Sequence, residues 1–290
     1  IAGSTITNSR IDVTSYTSGA QISYSKLNNV TTYKADIKGS TLDKSSVDQG
    51  KLSGSTASNS VIKNSTIKNS TFTNGNTITN SNIAQSSHIN GKSDVKFSTI
   101  NNSTVGGGAT LFFSNANSTI FNNATLTNSN ATFSQLYNVV GNNAHIKFSQ
   151  GIANSTFTNS IINRSSLNGG GNVLNNVTFE QVRTDNSVIN GGVYNWGAIY
   201  GSNVTNLKVN SLDKLDNSNV ANSNIAKVES ISGSKFNNSN INGVKNVTGS
   251  TFNGGTIANV NNMLNSNLIG VNTSTVKTVS YTHLTLPTNR

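Results

Sequence analysis

The sequence predicts an all-β fold, a three-sided parallel β-solenoid (β-helix) whose repeat, divided 5+5+6, gives coils of about 16 residues. Three observations predict it: apolar residues recur at spacings of 5, 5 and 6, Ser recurs two places before them, and Gly or Asn recurs two places after. A helix requires apolar spacings of 3 and 4, and a half-buried meander requires 2, so neither fits. A repeat of this kind sets the architecture before any other feature does.

The sides come first. One apolar column reads Ile199, Leu215, Ile231, Val247 and Met263; five residues on come Val204, Val220, Phe236, Phe252 and Leu268; five further come Val209, Ile225, Ile241 and Ile257. Ser202, Ser218, Ser234, Ser250 and Ser266 stand two before the second column, and Leu212, Val228, Val244, Val260 and Val276 three before the next turn of the first. Residues i and i−2 of a strand face one way, so each coil offers three short strands to one interior. The corners follow. Gly201, Asn217, Gly233, Gly249 and Asn265 follow the first column, and Asn206, Asn222, Asn238, Gly254 and Gly270 the second. Gly and Asn are the residues that adopt a left-handed backbone cheaply. Stacked Asn corners are expected to form amide ladders.

The same beat runs upstream through Ile6, Ile11, Tyr16, Ile22 and Leu27, then Ile62, Ile67, Phe72, Ile78 and Ile83, then Ile146, Ile152, Phe157, Ile162 and Leu167, with a register shift between 167 and 188. Residues 1–278 thus read as one continuous solenoid, about 17 or 18 coils in a rod on the order of 80 Å long. Its stability is expected to be nearly one-dimensional, each coil leaning on its neighbours. The tail differs: Val279 to Thr288 matches, residue for residue, one reading frame of a transposase-type sequencing-library adaptor. Residues 279–290 are therefore expected to be non-biological, which removes His283 and Pro287 from functional reasoning and makes the chain a fragment of a longer reading frame.

The triplet Ser-Asn-apolar, as in Ser202-Asn203-Val204, Ser218-Asn219-Val220 and Ser239-Asn240-Ile241, resembles the pentapeptide-repeat pattern. The regular sixth residue departs from that pattern, turning four-sided coils of twenty into three-sided coils of sixteen. Some pentapeptide-repeat proteins mimic DNA through an acidic surface, and a chain with 20 Lys+Arg against 10 Asp+Glu has the opposite sign. In composition the chain is similar to the Asn/Ser/Thr-rich, cysteine-free solenoid repeats of bacterial adhesins and autotransporter passengers. That resemblance implies a secreted, cell-surface segment.

Composition limits the chemistry. Asn fills 52 of 290 positions and only 10% of residues are charged, against about 25% in ordinary domains. Such residues disfavour helices. With no Cys, disulfides and thiolate metal sites are excluded. No apolar run reaches the length, roughly 18 residues, that a membrane-spanning helix needs. His88 and His145 lie far apart without a carboxylate cluster, so no metal or cofactor is implied. Gly106-Gly107-Gly108 and Gly169-Gly170-Gly171 lack the Lys and helix of a phosphate loop and read as bulges. Lysines are thinly spread, with no charged residue between Lys96 and Lys147, so no specific nucleic-acid face is expected.

Two clusters remain. Asp213, Asp216 and Glu229 are the densest acids; Asp213 and Glu229 fall one coil apart, with Lys245 next in the column, which reads as a surface ion pair more than a catalytic couple. The segment 192–200 holds the chain's one Trp. Extrapolating the 16-residue beat puts Tyr194 and Tyr200 outward and Trp196 in the interior column of Leu212 and Val228; Tyr194, Trp196, Tyr200 and Asp216 are the candidate ligand-binding residues. The function expected is that of a rod-like structural or adhesive segment, not an enzyme, at the bacterial cell surface. Its expected partners are anionic cell-surface polymers or glycans, attracted in a salt-sensitive way, together with neighbouring repeats of the same chain. The alternatives are a carbohydrate-active or glycan-binding β-helix of tailspike or lyase type, and an ice-binding solenoid. The last is disfavoured by the mixed outward column Asn203, Asn219, Lys235, Thr251, Asn267.

Overall fold

The computed structural model describes residues 5–7, 10–11, 21–28, 31–33, 36–48, 50–73, 75–280 and 284–285. Tyr16 lies outside the described residues, and so do residues 281–283 and 286–290 of the tail read as adaptor-derived. All regular structure among the described residues is β, without a helix. The chain divides into two compact units, residues 1–145 and 146–290.

In the first unit each strand up to Asn130–Thr132 pairs in parallel with the third strand after it. Lys26–Asn28 pairs with Thr41–Asp43, which pairs with Thr56–Ser58 and then Thr71–Thr73. Ser46–Asp48, Val61–Lys63 and Thr77–Thr79 form the second side, and Lys51–Ser53, Thr66–Lys68 and Asn82–Ala84 the third. Three residues per strand leave one inward position, so Leu42, Val47, Leu52, Ile62, Ile67 and Phe72 are all essentially inaccessible. The coil is not uniform. Thr56 aligns with Thr71 and Thr71 with His88; just before them, Ser55 meets Ser70 at a sequence separation of 15, and Ser70 meets Ser87 at 17.

The second unit repeats the plan. Asn203, Asn219, Lys235, Thr251 and Asn267 align in successive coils at the 16-residue step. Upstream the step differs. Thr156 aligns with Val173 in a longer coil, in which Ser155 meets Asn172 at a separation of 17; the extra length is taken up around Gly170 and Gly171 at positive φ. Val173 then aligns with Val188 in a shorter one, in which Asn175 meets Asn190 at a separation of 15. Near the C-terminus Leu284 aligns with Leu268.

The corners carry the geometry expected of them. All ten corner residues from Gly201 to Gly270 named above have φ between 47° and 68°. A left-handed residue turns the chain, and the amide after it faces the next coil where no strand carbonyl is available. The buried Ser fills that gap. Ser202 N donates to Ser218 Oγ (3.1 Å), Ser218 N to Ser234 Oγ (3.2 Å), and Ser234 N to Ser250 Oγ (3.2 Å). Each hydroxyl donates in turn to the carbonyl two residues back, as Ser218 Oγ does to Asp216 O (2.9 Å). Thus one small side chain satisfies a buried donor and its own proton. The same ladder runs through Ser25, Ser40, Ser55 and Ser70 in the first unit. Asn76 and Asn172 take the Ser role for Ser60 N and Ser155 N (3.0 and 3.1 Å). Outside, Asn amides do stack from coil to coil: Asn219 Nδ2 to Asn203 Oδ1 (2.9 Å) and Asn240 Nδ2 to Asn224 Oδ1 (3.0 Å).

Replacing Ser234 by Ala strands the Ser218 amide in the interior. It is expected to cost about 1–3 kcal/mol in urea denaturation, while exposed Ser274→Ala stays within about 0.5 kcal/mol.

Candidate functional site

The site is generated by two consecutive 15-residue steps. Phe179 aligns with Tyr194, and Tyr194 with Val209, so Tyr194 belongs to the interior column that continues as Ile225, Ile241 and Ile257. Its ring stacks on Phe179 at 4.8 Å, and it is wholly buried. The phenol donates to Val182 O (2.5 Å) and lies 3.1 Å from Ala198 O; burial pushes its pKa far above the ordinary phenol value.

This reverses the expectation for the aromatic pair. The 16-residue beat placed Tyr194 outside and Trp196 inside; the structure buries Tyr194 and leaves Trp196 52% exposed. Gly197 explains the exchange. It aligns with the buried Val182 at φ 132°, and a methyl there would collide with the Val182 carbonyl. The backbone occupies the space a side chain would take, Tyr194 fills the coil, and Trp196 is turned out at the corner.

Trp196 is held in place. Its Nε1 donates to Asp213 Oδ1 (2.7 Å), and a hollow of about 380 Å³ lies to each side of it. One is lined by Gln181, Arg183, Ala198 and Asp213, the other by Asn163, Arg164, Glu180 and Asn195. Amides, acids and guanidinium groups therefore surround an exposed indole, an arrangement suited to a ring with an apolar body and polar substituents. A larger hollow of about 550 Å³, over Lys208, Asn224, Asn240 and Ala226, has no aromatic wall.

Tyr200 and Asp216 lie at the far end of the same strands, away from the hollows beside Trp196. Tyr200 is half-buried, with the Arg183 guanidinium 4.5 Å and Lys214 Nζ 5.5 Å from its ring centre; Arg183 also pairs with Asp185 (3.0 Å), which raises its pKa. Asp216 accepts from Ser232 Oγ (2.6 Å) and pairs with Lys214 (3.3 Å). Ser232 first, then Lys214, holds its carboxyl below the usual range. Glu229 is engaged by Lys245 (2.9 Å), which lowers its pKa too. Hence the structure joins Trp196 to Asp213, and Tyr200 to Asp216 through Lys214, with Arg183 lining a hollow beside the first and lying over the ring of the second. Sequence reasoning missed Arg164, Gln181 and Arg183; the available signal was the spacing of Phe179 and Tyr194, one short of the regular beat, which reveals the shorter coil. No group of three or more metal-ligating side chains occurs among the described residues.

No protein-family model matches the chain, and no curated protein does. Solved structures similar to it include full-length QnrB1, a plasmid-mediated fluoroquinolone resistance protein (12% identity, 66% of this chain and 86% of that one, TM-score 0.19). HetL, a pentapeptide-repeat protein from the cyanobacterium Nostoc sp. strain PCC 7120, gives 12%, 66%, 83% and 0.19. The TibC-catalyzed hyper-glycosylated TibA fragment gives 14%, 97%, 99% and 0.30.

Two outcomes follow from the packing. Tyr194→Phe leaves buried carbonyls without their donor and is expected to cost about 1–3 kcal/mol in thermal unfolding. Because Asp216 is depressed in the folded state, its contribution to stability is present above the ordinary carboxylate pKa and is lost as pH falls through the lowered value. Ser232→Ala should move the Asp216 titration upward, measured by carboxyl-carbon NMR.

Proposed function

We propose that the chain is an adhesive segment of a larger secreted or cell-surface protein and that it binds glycans at Trp196. The observation that carries this reading is the exposed indole, tethered to Asp213 and flanked by two polar hollows. The faces of an indole held in place stack on sugar rings. The surroundings agree with a ligand of many hydroxyls. They are rich in amides, which both donate and accept, and the chain meets solvent with few charges overall.

Binding suits the carboxyls better than glycan cleavage. A general acid needs a raised pKa, and Asp216 and Glu229 are both shifted downward by their partners, while Asp213 is occupied by the indole. An ice-binding face draws no support from the second unit, where Asn203, Asn219, Lys235, Thr251 and Asn267 stand in register as a mixed column.

Trp196→Ala is the test. Its circular dichroism should match that of the parent, and its binding to an immobilised panel of bacterial and host glycans should fall by about tenfold or more. Unchanged binding, or no binding by the parent to any glycan of the panel, contradicts the reading.

A further inference from the structure

Resting on that reading, we infer that the ligand is a linear, acidic polysaccharide laid across several coils, its carboxylates met by Arg164. Trp196 tops a corner ridge. Phe148 N donates to Asn163 O, Arg164 N to Glu180 O, and Gln181 precedes Val182, which aligns with Gly197. Phe148, Arg164, Gln181 and Trp196 therefore occupy one corner in four successive coils. From the first to the last is three coil steps, about 14 Å at sheet spacing, too far for one sugar ring and suited to a short run of them.

Backbone conformation supplies the second observation. Among the described residues of the second unit, the left-handed corner positions hold Gly or Asn with four exceptions: Phe148 (φ 49°), Arg164 (46°), Gln181 (52°) and Thr275 (51°). Three of the four stack on this ridge. Large side chains meet a steric penalty in that conformation, so the ridge carries aromatic and cationic groups against the local preference of the chain. Large side chains also stand at left-handed corners of the first unit, at Tyr24, Phe97, Phe113 and Phe133; on this ridge such corners come together with an arginine and with Trp196.

The charge pattern names the ligand class. Arg183, on the neighbouring strand, is neutralised by Asp185. Arg164 has no ion pair among the described residues: its Nε donates to Gln181 Oε1 (2.7 Å), and its guanidinium carbon lies 5.6 Å from the centre of the Phe148 ring. The ridge thus positions a guanidinium that has no ion pair, in a hollow it shares with Glu180. That carboxylate accepts from Asn163 Nδ2 (2.6 Å). A guanidinium fork fits a sugar carboxylate, and the rings of the same polymer pack on the aromatic ends of the ridge.

The experiment compares polygalacturonate with its fully methyl-esterified form, which keeps the rings and removes the charge, and with monomeric galacturonate, using the full chain. The parent should prefer the acid polymer by about tenfold and bind the monomer weakly. Arg164→Gln should abolish the preference while still binding the ester; Trp196→Ala should weaken both polymers. Lys235→Gln, remote from the ridge, controls for diffuse positive charge and should leave the preference intact. Equal binding of acid and ester, retention of the preference in Arg164→Gln, or its equal loss in Lys235→Gln overturns the inference while leaving Trp196 as a glycan contact. Failure of the parent to bind any of the three overturns it as well, and binding of other glycans at Trp196 is then decided by the panel.

Discussion

Everything in this molecule depends on how a chain can turn three times per coil without stranding buried backbone amides. A left-handed residue makes the turn, and the next amide points along the stack where the strand ladder has been interrupted. An unpaired buried donor of this kind costs about 1–3 kcal/mol, and the cost would recur at every corner. The Ser hydroxyl of the following coil removes it, accepting from the amide below and donating to its own chain, as Ser218, Ser234 and Ser250 do in succession. Ser is small enough to sit inside beside Val220 and Phe236 without widening the column. The composition follows from this arrangement: Gly and Asn for the turn, Ser for the bridge, one or two apolar residues per side, and amides or hydroxyls outside.

Because each short side has only one or two inward positions, coil length helps decide which side chain enters the core. A residue more or less is absorbed at a corner, as around Gly170 and Gly171, so the columns stay inside and the side chains beside that corner are re-sorted. Separations of 15 and 17 occur beside the regular 16, and the functional candidate arises at such a change. The two 15-residue steps that align Phe179, Tyr194 and Val209 take Tyr194 inside, and Gly197, with no Cβ, lets the backbone approach Val182 closely where Trp196 is turned out. Departure from the repeat, and not the repeat itself, creates the surface feature.

That distinction explains what could be read in advance. The solenoid, its three sides and its left-handed corners were legible because Ser, Asn, Gly and the apolar columns each answer to a local backbone requirement that recurs. The pairing of Glu229 with Lys245 was legible for the same reason, since both lie where the 16-residue step holds. The placement of Tyr194 and Trp196 was not, because extending that step backward from Leu212 crosses the shorter coil. The ridge of Phe148, Arg164 and Gln181 was hidden too: its members share no chemistry, and only their common corner, with φ from 46° to 52°, brings them together.

Trp196 is the chain's single tryptophan, so its fluorescence reports on this one position. Acrylamide quenching of the folded chain tests directly whether the coil sorts its aromatics as described. Red-shifted emission that is readily quenched, and that becomes protected when a glycan binds, is the result required by an indole standing free at the corner. Blue-shifted emission insensitive to acrylamide would place Trp196 in the column, return Tyr194 to the surface, and contradict both the register and the site built on it.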